Sequence, residues 1–136
     1  MNQIFYLELK EKCREISLDT NNTEKIVEVN TAYDRLIDLA NVARRGGIFE
    51  FENYTMEIED KNDTDKFLKK IVTLVVDGTQ PEMVEEIGLN TVISNCLQSY
   101  DGFITLMYLY GVLMIQQGYN PRLIDELLCS IIPKCL

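Results

Sequence analysis

With no histidine among its 136 residues, this chain has carboxylates and cysteines as its candidate side chains for acid–base or nucleophilic chemistry. Without an imidazole the chain can form neither a Ser-His-Asp nor a Cys-His pair, nor a histidine-ligated metal site. Its cysteines are Cys13, Cys96, Cys129 and Cys135. None of them is spaced as Cys-x-x-Cys, the spacing typical of zinc and thioredoxin-type sites. We therefore expect four free thiols, buried as small apolar side chains.

One acidic stretch of the chain has enough carboxylates to be considered as a cation site, and its members are Glu57, Glu59, Asp60, Asp63 and Asp65. A calcium loop needs ligands at alternating positions, a glycine in mid-loop and a terminal bidentate glutamate. No glycine lies between Glu52 and Lys70. We therefore predict a solvated acidic loop, and we expect no metal or cofactor anywhere in the chain.

The charge balance and the first residues of the chain indicate which partners and which cellular location to expect. Lysine and arginine number 13 against 22 aspartates and glutamates, a net charge of −9. Nucleic acids and anionic membranes both require a positive surface, so neither is an expected partner. The first residues read MNQIFYLELKEK, which lacks the basic region and uninterrupted apolar core of a secretory signal. We predict a cytoplasmic location.

The elements that must position these residues are predicted to be helices, because apolar residues recur at spacings of three and four. The first two helices are predicted over 4–18 and 24–45, the second with Thr23 as its N-cap. Gly46-Gly47 then ends or bends this second helix. Residues 48–62 fit either an edge strand or a short helix. We favour the helix, since a lone strand would have no partner.

The second half of the chain shows a helix over 65–77, a Thr79–Glu82 capping box and a helix over 83–97. A helix over 103–117 is apolar on nearly every side and is too short to span a membrane. Asn120-Pro121 begins the last helix. The prediction is one all-α domain over 1–136, a compact bundle of five or six helices around a central hydrophobic helix.

A charged stretch surrounds the two glycines. Arg44 and Arg45 end the second predicted helix, and Glu50 and Glu52 follow within one short element. Positive charge at a helix C-terminus compensates the helix dipole, and the glutamates could simply face solvent. Alternatively, these four residues form a partner-binding patch. The residues alone leave both interpretations open.

Three longer stretches, in this order, are similar to a known family: ANVARRGGIFEFE, DKFLKKIVTLVVDGTQPEMVEEI and LYGVLMIQQGYNPRLIDELL. They resemble the cytoplasmic parts of the flagellar stator A-subunit (MotA) family. That family has an A-R-R-x-G-L-x-x-L-E stretch, a helix ending in V-D-G-T-x-P-E and a late G-x-N-P-R segment. The most specific matches are residues 76–82 and 118–122, and the similarity begins near residue 36.

The family's membrane helices have no counterpart in this chain. Residues 88–103 replace one pair of them and are too short and too polar to span a membrane twice, so ion conduction is not implied. In the family, an arginine and a glutamate of the first motif face charged rotor residues, and these positions fall on Arg44 and Glu52. Gly46 stands where the family often has an acidic residue.

The resemblance implies a non-catalytic, soluble protein-interaction module whose partner is a flagellar rotor or stator component. A structural adaptor that oligomerises and has no role in motility is an alternative, so a homo-oligomer remains open. An enzyme acting through carboxylates or a cysteine is ranked last, because few general bases remain without histidine.

Overall fold

Six α-helices lie within residues 1–19, 21–95, 97 and 99–133, the part of the chain that this computed structural model describes. No β-strand occurs among those residues. The prediction of an all-α bundle is confirmed. The helices, in order, are α1 (Gln3–Ser17), α2 (Thr23–Met56), α3 (Asp63–Val76), α4 (Pro81–Ser94), α5 (Ser99–Gln116) and α6 (Pro121–Ile131).

Helix α5 is the centre of the bundle. Tyr100 and every residue from Gly102 to Met114 are buried, and α5 contacts each of the other five helices. An all-round apolar helix is stable only when neighbours cover all its sides, so its sequence requires this central position. Among the described residues, no helix has the combination of length and apolar character needed to cross a membrane.

Two glycines let neighbouring helices approach α5 closely. A Cβ added at Gly111 on α5 would lie 2.5 Å from Leu36 of α2, and one added at Gly88 on α4 would lie 2.7 Å from Leu109 of α5. Real Cβ atoms do not approach other atoms so closely, because packed interiors leave no such overlap. Both glycines therefore serve the packing of the bundle.

Helix α2 bends at Gly47, as the glycine pair predicted. Its backbone there has φ 71° and ψ −158°, which is not helical. Only glycine adopts this combination without strain, because it has no Cβ. Beyond the bend the chain is helical again as far as Met56, with Phe51 and Thr55 buried. The helical prediction for the segment after the glycines is confirmed over 48–56.

Two predicted helix caps are wrong, and a third is confirmed. The N-cap of α2 is Asn22 rather than Thr23, since the Asn22 side chain accepts a hydrogen bond from the Lys25 backbone N–H. Helix α4 begins after Gln80, whose side chain caps nothing, so the predicted Thr79 cap is not formed. The Asn120 side chain accepts from the Arg122 N–H and caps α6 as expected.

Candidate functional site

The four residues of the predicted partner-binding patch lie on both sides of the α2 bend. Arg44 and Arg45 are exposed at the end of the long limb. Glu50 is exposed and Glu52 half-buried on the short limb. None of the four forms an ion pair with another residue in the described part of the chain. Arg44 and Glu52 are therefore not a structural pair across the bend.

The Glu50 side chain folds back across the bend onto Gly46. A Cβ built on Gly46 would overlap the Cβ and Cγ atoms of Glu50. Gly46 thus lets a negative side chain lie close to the end of the helix limb that carries the two arginines.

An apolar pocket of about 450 Å³ adjoins the same bend. Its walls come from three parts of the chain that are distant in sequence: the α2 bend, the corner between α3 and α4, and the end of α5. Each of these parts belongs to one of the three stretches that carry the family resemblance. The lining residues are Ala43, Gly47, Ile48, Phe51, Val75, Gly78, Thr79, Gln80, Pro81, Ile115 and Gln116.

Gln116 joins two walls of this pocket. Its Nε2 donates a hydrogen bond of 2.7 Å to the Thr79 carbonyl, so the end of α5 is fixed to the α3–α4 corner. Its Oε1 is buried and accepts no hydrogen bond from the residues that the structure describes.

Large apolar side chains continue from the pocket onto the open surface. Ile48 lines the pocket and is still 56% exposed, and the next residue, Phe49, is 69% exposed. Ile48 and Phe49 therefore extend the apolar surface of the pocket onto the outside of the protein. The sequence does not predict the pocket, although all its lining residues lie within the three family-like stretches.

The acidic stretch before α3 differs from its prediction at one residue. Asp65 is 2% exposed, and its Oδ1 lies 2.6 Å from Nη1 of Arg35. The same Arg35 nitrogen donates to the Tyr108 hydroxyl at 3.0 Å. Asp65 is therefore a structural carboxylate that links helices, whereas Glu57, Glu59, Asp60 and Asp63 are exposed as predicted. Among the described residues, no group of three or more acidic or cysteine side chains is arranged to hold a metal ion.

The cysteines differ from the prediction of four buried thiols. Cys13 is half-buried, its Sγ donates to the Ile131 carbonyl at 3.3 Å, and burial raises its pKa to about 11. Cys129 is exposed, because α6 buries Ile124 and Leu128 and the next residue is turned away by about 100°. Cys96 and Cys135 lie outside the described residues.

Comparisons of the chain with protein-family models, with curated proteins and with solved structures find no match. The family suggested by the three motifs therefore stays a prediction. The geometry of the pocket and of the charged patch is the independent information on which function can be argued.

Proposed function

We propose that this chain is a non-catalytic protein-interaction module similar to the cytoplasmic region of the flagellar stator A-subunit. The observation that carries the proposal is the convergence of the three family-like stretches on one corner of the bundle. Residues from 43–51, 75–81 and 115–116 line a single pocket. If the three stretches together build one contact surface, that surface explains why all three resemble the family although they are far apart in the sequence.

The charges around the bend supply the recognition chemistry. Arg44, Arg45 and Glu50 are exposed, Glu52 is half-exposed, and none has an ion-pair partner in the described part of the protein. Charges of this kind raise the rate of encounter and select the partner more than they raise affinity. We propose a flagellar rotor or stator component as the partner. A cytoplasmic location and the absence of nucleic-acid partners belong to the same proposal.

Charge reversal tests this function. Arg44→Glu and Glu52→Arg, compared with wild type by affinity capture from cells of the native source, should each lower the recovery of the same partner several-fold. The loss should shrink as salt is raised, because the Debye length is only about 8 Å at physiological ionic strength. All variants should keep their melting temperature, since unpaired surface charges change stability by about 0.5 kcal/mol or less.

Lys10→Glu is the matched control, because Lys10 is an exposed α1 residue without an ion pair in the described chain. It changes the net charge by the same amount as Arg44→Glu and should leave recovery unchanged. Equal recovery of every partner by wild type, Arg44→Glu and Glu52→Arg would remove the patch from the function. An equal loss with Lys10→Glu would show that only net charge matters.

A further inference from the structure

A second pocket, of about 700 Å³, has a mostly polar lining and lies at the other end of the bundle from the Gly47 bend. Its walls are formed by the N-terminal parts of α2, α3 and α5 and by the C-terminal part of α4. The pocket beside the bend instead adjoins the C-terminal parts of α3 and α5 and the start of α4. Small-molecule sites measure about 300–1,000 Å³, so this polar pocket has a suitable size for one.

The α3 wall of the polar pocket carries an excess of positive charge. Lys66 and Lys70 both line it and are four positions apart, so they share one face of the helix. Neither lysine forms an ion pair within the part of the chain that the structure describes. Asp63 adds one carboxylate in the first turn of α3, where the helix dipole compensates negative charge. Two ammonium groups therefore stand against one carboxylate, in a protein of net charge −9.

The wall formed by α2 and α5 has the reverse balance. Nζ of Lys25 lies 3.3 Å from Oε2 of Glu28 and 3.2 Å from Oδ1 of Asp101. All three residues line the pocket, so one ammonium group is shared by two carboxylates and an excess of negative charge remains. The Glu28 and Asp101 side chains are 33% and 48% exposed, and their oxygens can therefore accept hydrogen bonds from a bound molecule.

The lining as a whole contains as many acidic as basic side chains, on different helices. A polyanion such as a nucleotide would be repelled by the α2–α5 wall, and a polycation by the α3 wall. The apolar Phe67 and Leu97 also belong to the lining, and contact with them favours a hydrocarbon segment over a fully polar molecule. The complement of this pocket is a molecule with one negative end, one positive end and an apolar middle.

We propose that the polar pocket binds a small zwitterion of the ω-amino acid type. Its carboxylate is held by the two α3 lysines, its ammonium group by the carboxylates of α2 and α5, and a hydrocarbon segment separates the two. This inference goes beyond the proposed function and does not rest on it. Arg44 and Glu52 line no part of the polar pocket in the described chain, so the charge-reversal test and the tests below can fail independently.

The first experiment titrates isotope-labelled protein with 6-aminohexanoate at low ionic strength and follows the backbone amides by NMR. We expect saturable shifts at lining residues such as Lys66, Thr91 and Thr105, with a dissociation constant in the millimolar range for so small a molecule. Hexanoate lacks the ammonium group and 1-aminohexane lacks the carboxylate, so each should bind at least about threefold more weakly. Hexanoate that binds as tightly as 6-aminohexanoate would overturn the zwitterion. Absence of a saturable shift would show a solvated charged rim only, which also overturns the proposal.

Substitution of the α3 lysines tests the anionic end of the ligand. Lys66→Gln and Lys70→Gln, made singly, should each weaken binding of 6-aminohexanoate at least about threefold. Both side chains are exposed, so the variants should fold, and far-UV circular dichroism checks this. Lys69→Gln is the matched control, because Lys69 pairs with Asp60 at 3.8 Å and is not among the described residues that line the pocket. An equal loss with Lys69→Gln would show that only the net charge of α3 matters and would overturn the site.

Asp101→Asn tests the cationic end through selectivity. The substitution leaves Lys25 with Glu28 alone, so the α2–α5 wall loses its excess negative charge. The preference for 6-aminohexanoate over hexanoate should then largely disappear, because the ammonium group no longer meets an unbalanced carboxylate. A general disturbance of the pocket would weaken both molecules alike and keep the preference. An unchanged preference in Asp101→Asn overturns the proposed orientation of the ligand.

Discussion

A single buried carboxylate, Asp65, ties three helices of the bundle together. Its Oδ1 lies 2.6 Å from Arg35 of α2, and its Oδ2 accepts the Lys61 backbone N–H at 3.2 Å. Arg35 in turn donates to Tyr108 of α5. Burial lowers the pKa of the Arg35 guanidinium, but the hydrogen bonds that it donates to Tyr108 and Asp65 outweigh this effect and raise its pKa overall. The ion pair of Arg35 with Asp65 and the hydrogen bond of Arg35 to Tyr108 thus link α2, α3 and α5.

Asp65→Ala should destabilise the fold by about 3 kcal/mol, because it leaves the guanidinium of Arg35 without its anion. The Arg35 side chain is 25% exposed, so water compensates part of the loss and the low end of the range for buried pairs applies. Urea unfolding monitored by circular dichroism measures the change. Asp60→Ala is the control: Asp60 is 51% exposed and 3.8 Å from Lys69, and its loss should cost less than about 1 kcal/mol. Equal midpoints for the two variants would contradict a structural role for Asp65.

The bend in α2 is the feature of secondary structure on which the candidate site depends. Gly47 keeps φ at 71°, so the short limb turns and buries Phe51 against the bundle. A straight continuation of α2 would carry Ile48 and Phe51 elsewhere, and the pocket would lose part of its wall. The bend therefore determines the geometry of both the charged patch and the pocket.

Gly47→Ala should cost about 1–3 kcal/mol, since a residue with a Cβ is strained at this backbone conformation. Steric overlap with neighbouring atoms does not contribute to this cost, because a Cβ added at Gly47 has no atom within 4 Å. Asn53→Ala, at an exposed position of the same short limb, should stay within about 0.5 kcal/mol of wild type. Chemical denaturation measures the free energy of unfolding of both variants. Equal stability of Gly47→Ala and Asn53→Ala would contradict the expected backbone strain at position 47.

Helix positions and the bend could be predicted from the sequence because their signals are local. Gly46-Gly47 and Asn120-Pro121 set the backbone conformation at their own positions. The apolar residues on nearly every side of α5 identify it as the central helix. The predicted Thr79 cap was wrong although the deciding signal is also local: Pro81 stands at the first position of α4, so the N-cap is Gln80, whose side chain makes no capping hydrogen bond.

The candidate site was predictable in part, for the same physical reason. Its charged residues stand out in the sequence because they surround two adjacent glycines. The pocket does not, since its walls come from three separate segments, and neither does Asp65, whose partner Arg35 is 30 positions away. Only the packing of α2, α3 and α5 brings these groups into contact.

Burial of tyrosines against and around α5 gives the whole molecule a characteristic response to alkali. Burial raises the pKa of Tyr108, although its hydrogen bond with Arg35 opposes the rise, and burial also raises the pKa of Tyr110. Burial and then the hydrogen bond to Asp38 raise the pKa of Tyr54 to about 12. Each of these phenols is therefore held neutral by the fold beyond the pH at which it would ionise in the unfolded chain, about 10.

A group whose pKa is higher in the folded state stabilises the fold fully below its unfolded pKa and loses that effect as pH rises through its folded pKa. The free energy of unfolding should therefore fall above about pH 10, by up to about 1.4 kcal/mol per pH unit for each such tyrosine. The part of the absorbance change at 295 nm that comes from the buried tyrosines should coincide with the loss of circular dichroism at 222 nm in one cooperative step. Tyr110→Phe removes one buried phenol and should flatten the decline. Ionisation of all seven tyrosines near pH 10 while the helices remain intact would contradict the burial of these side chains.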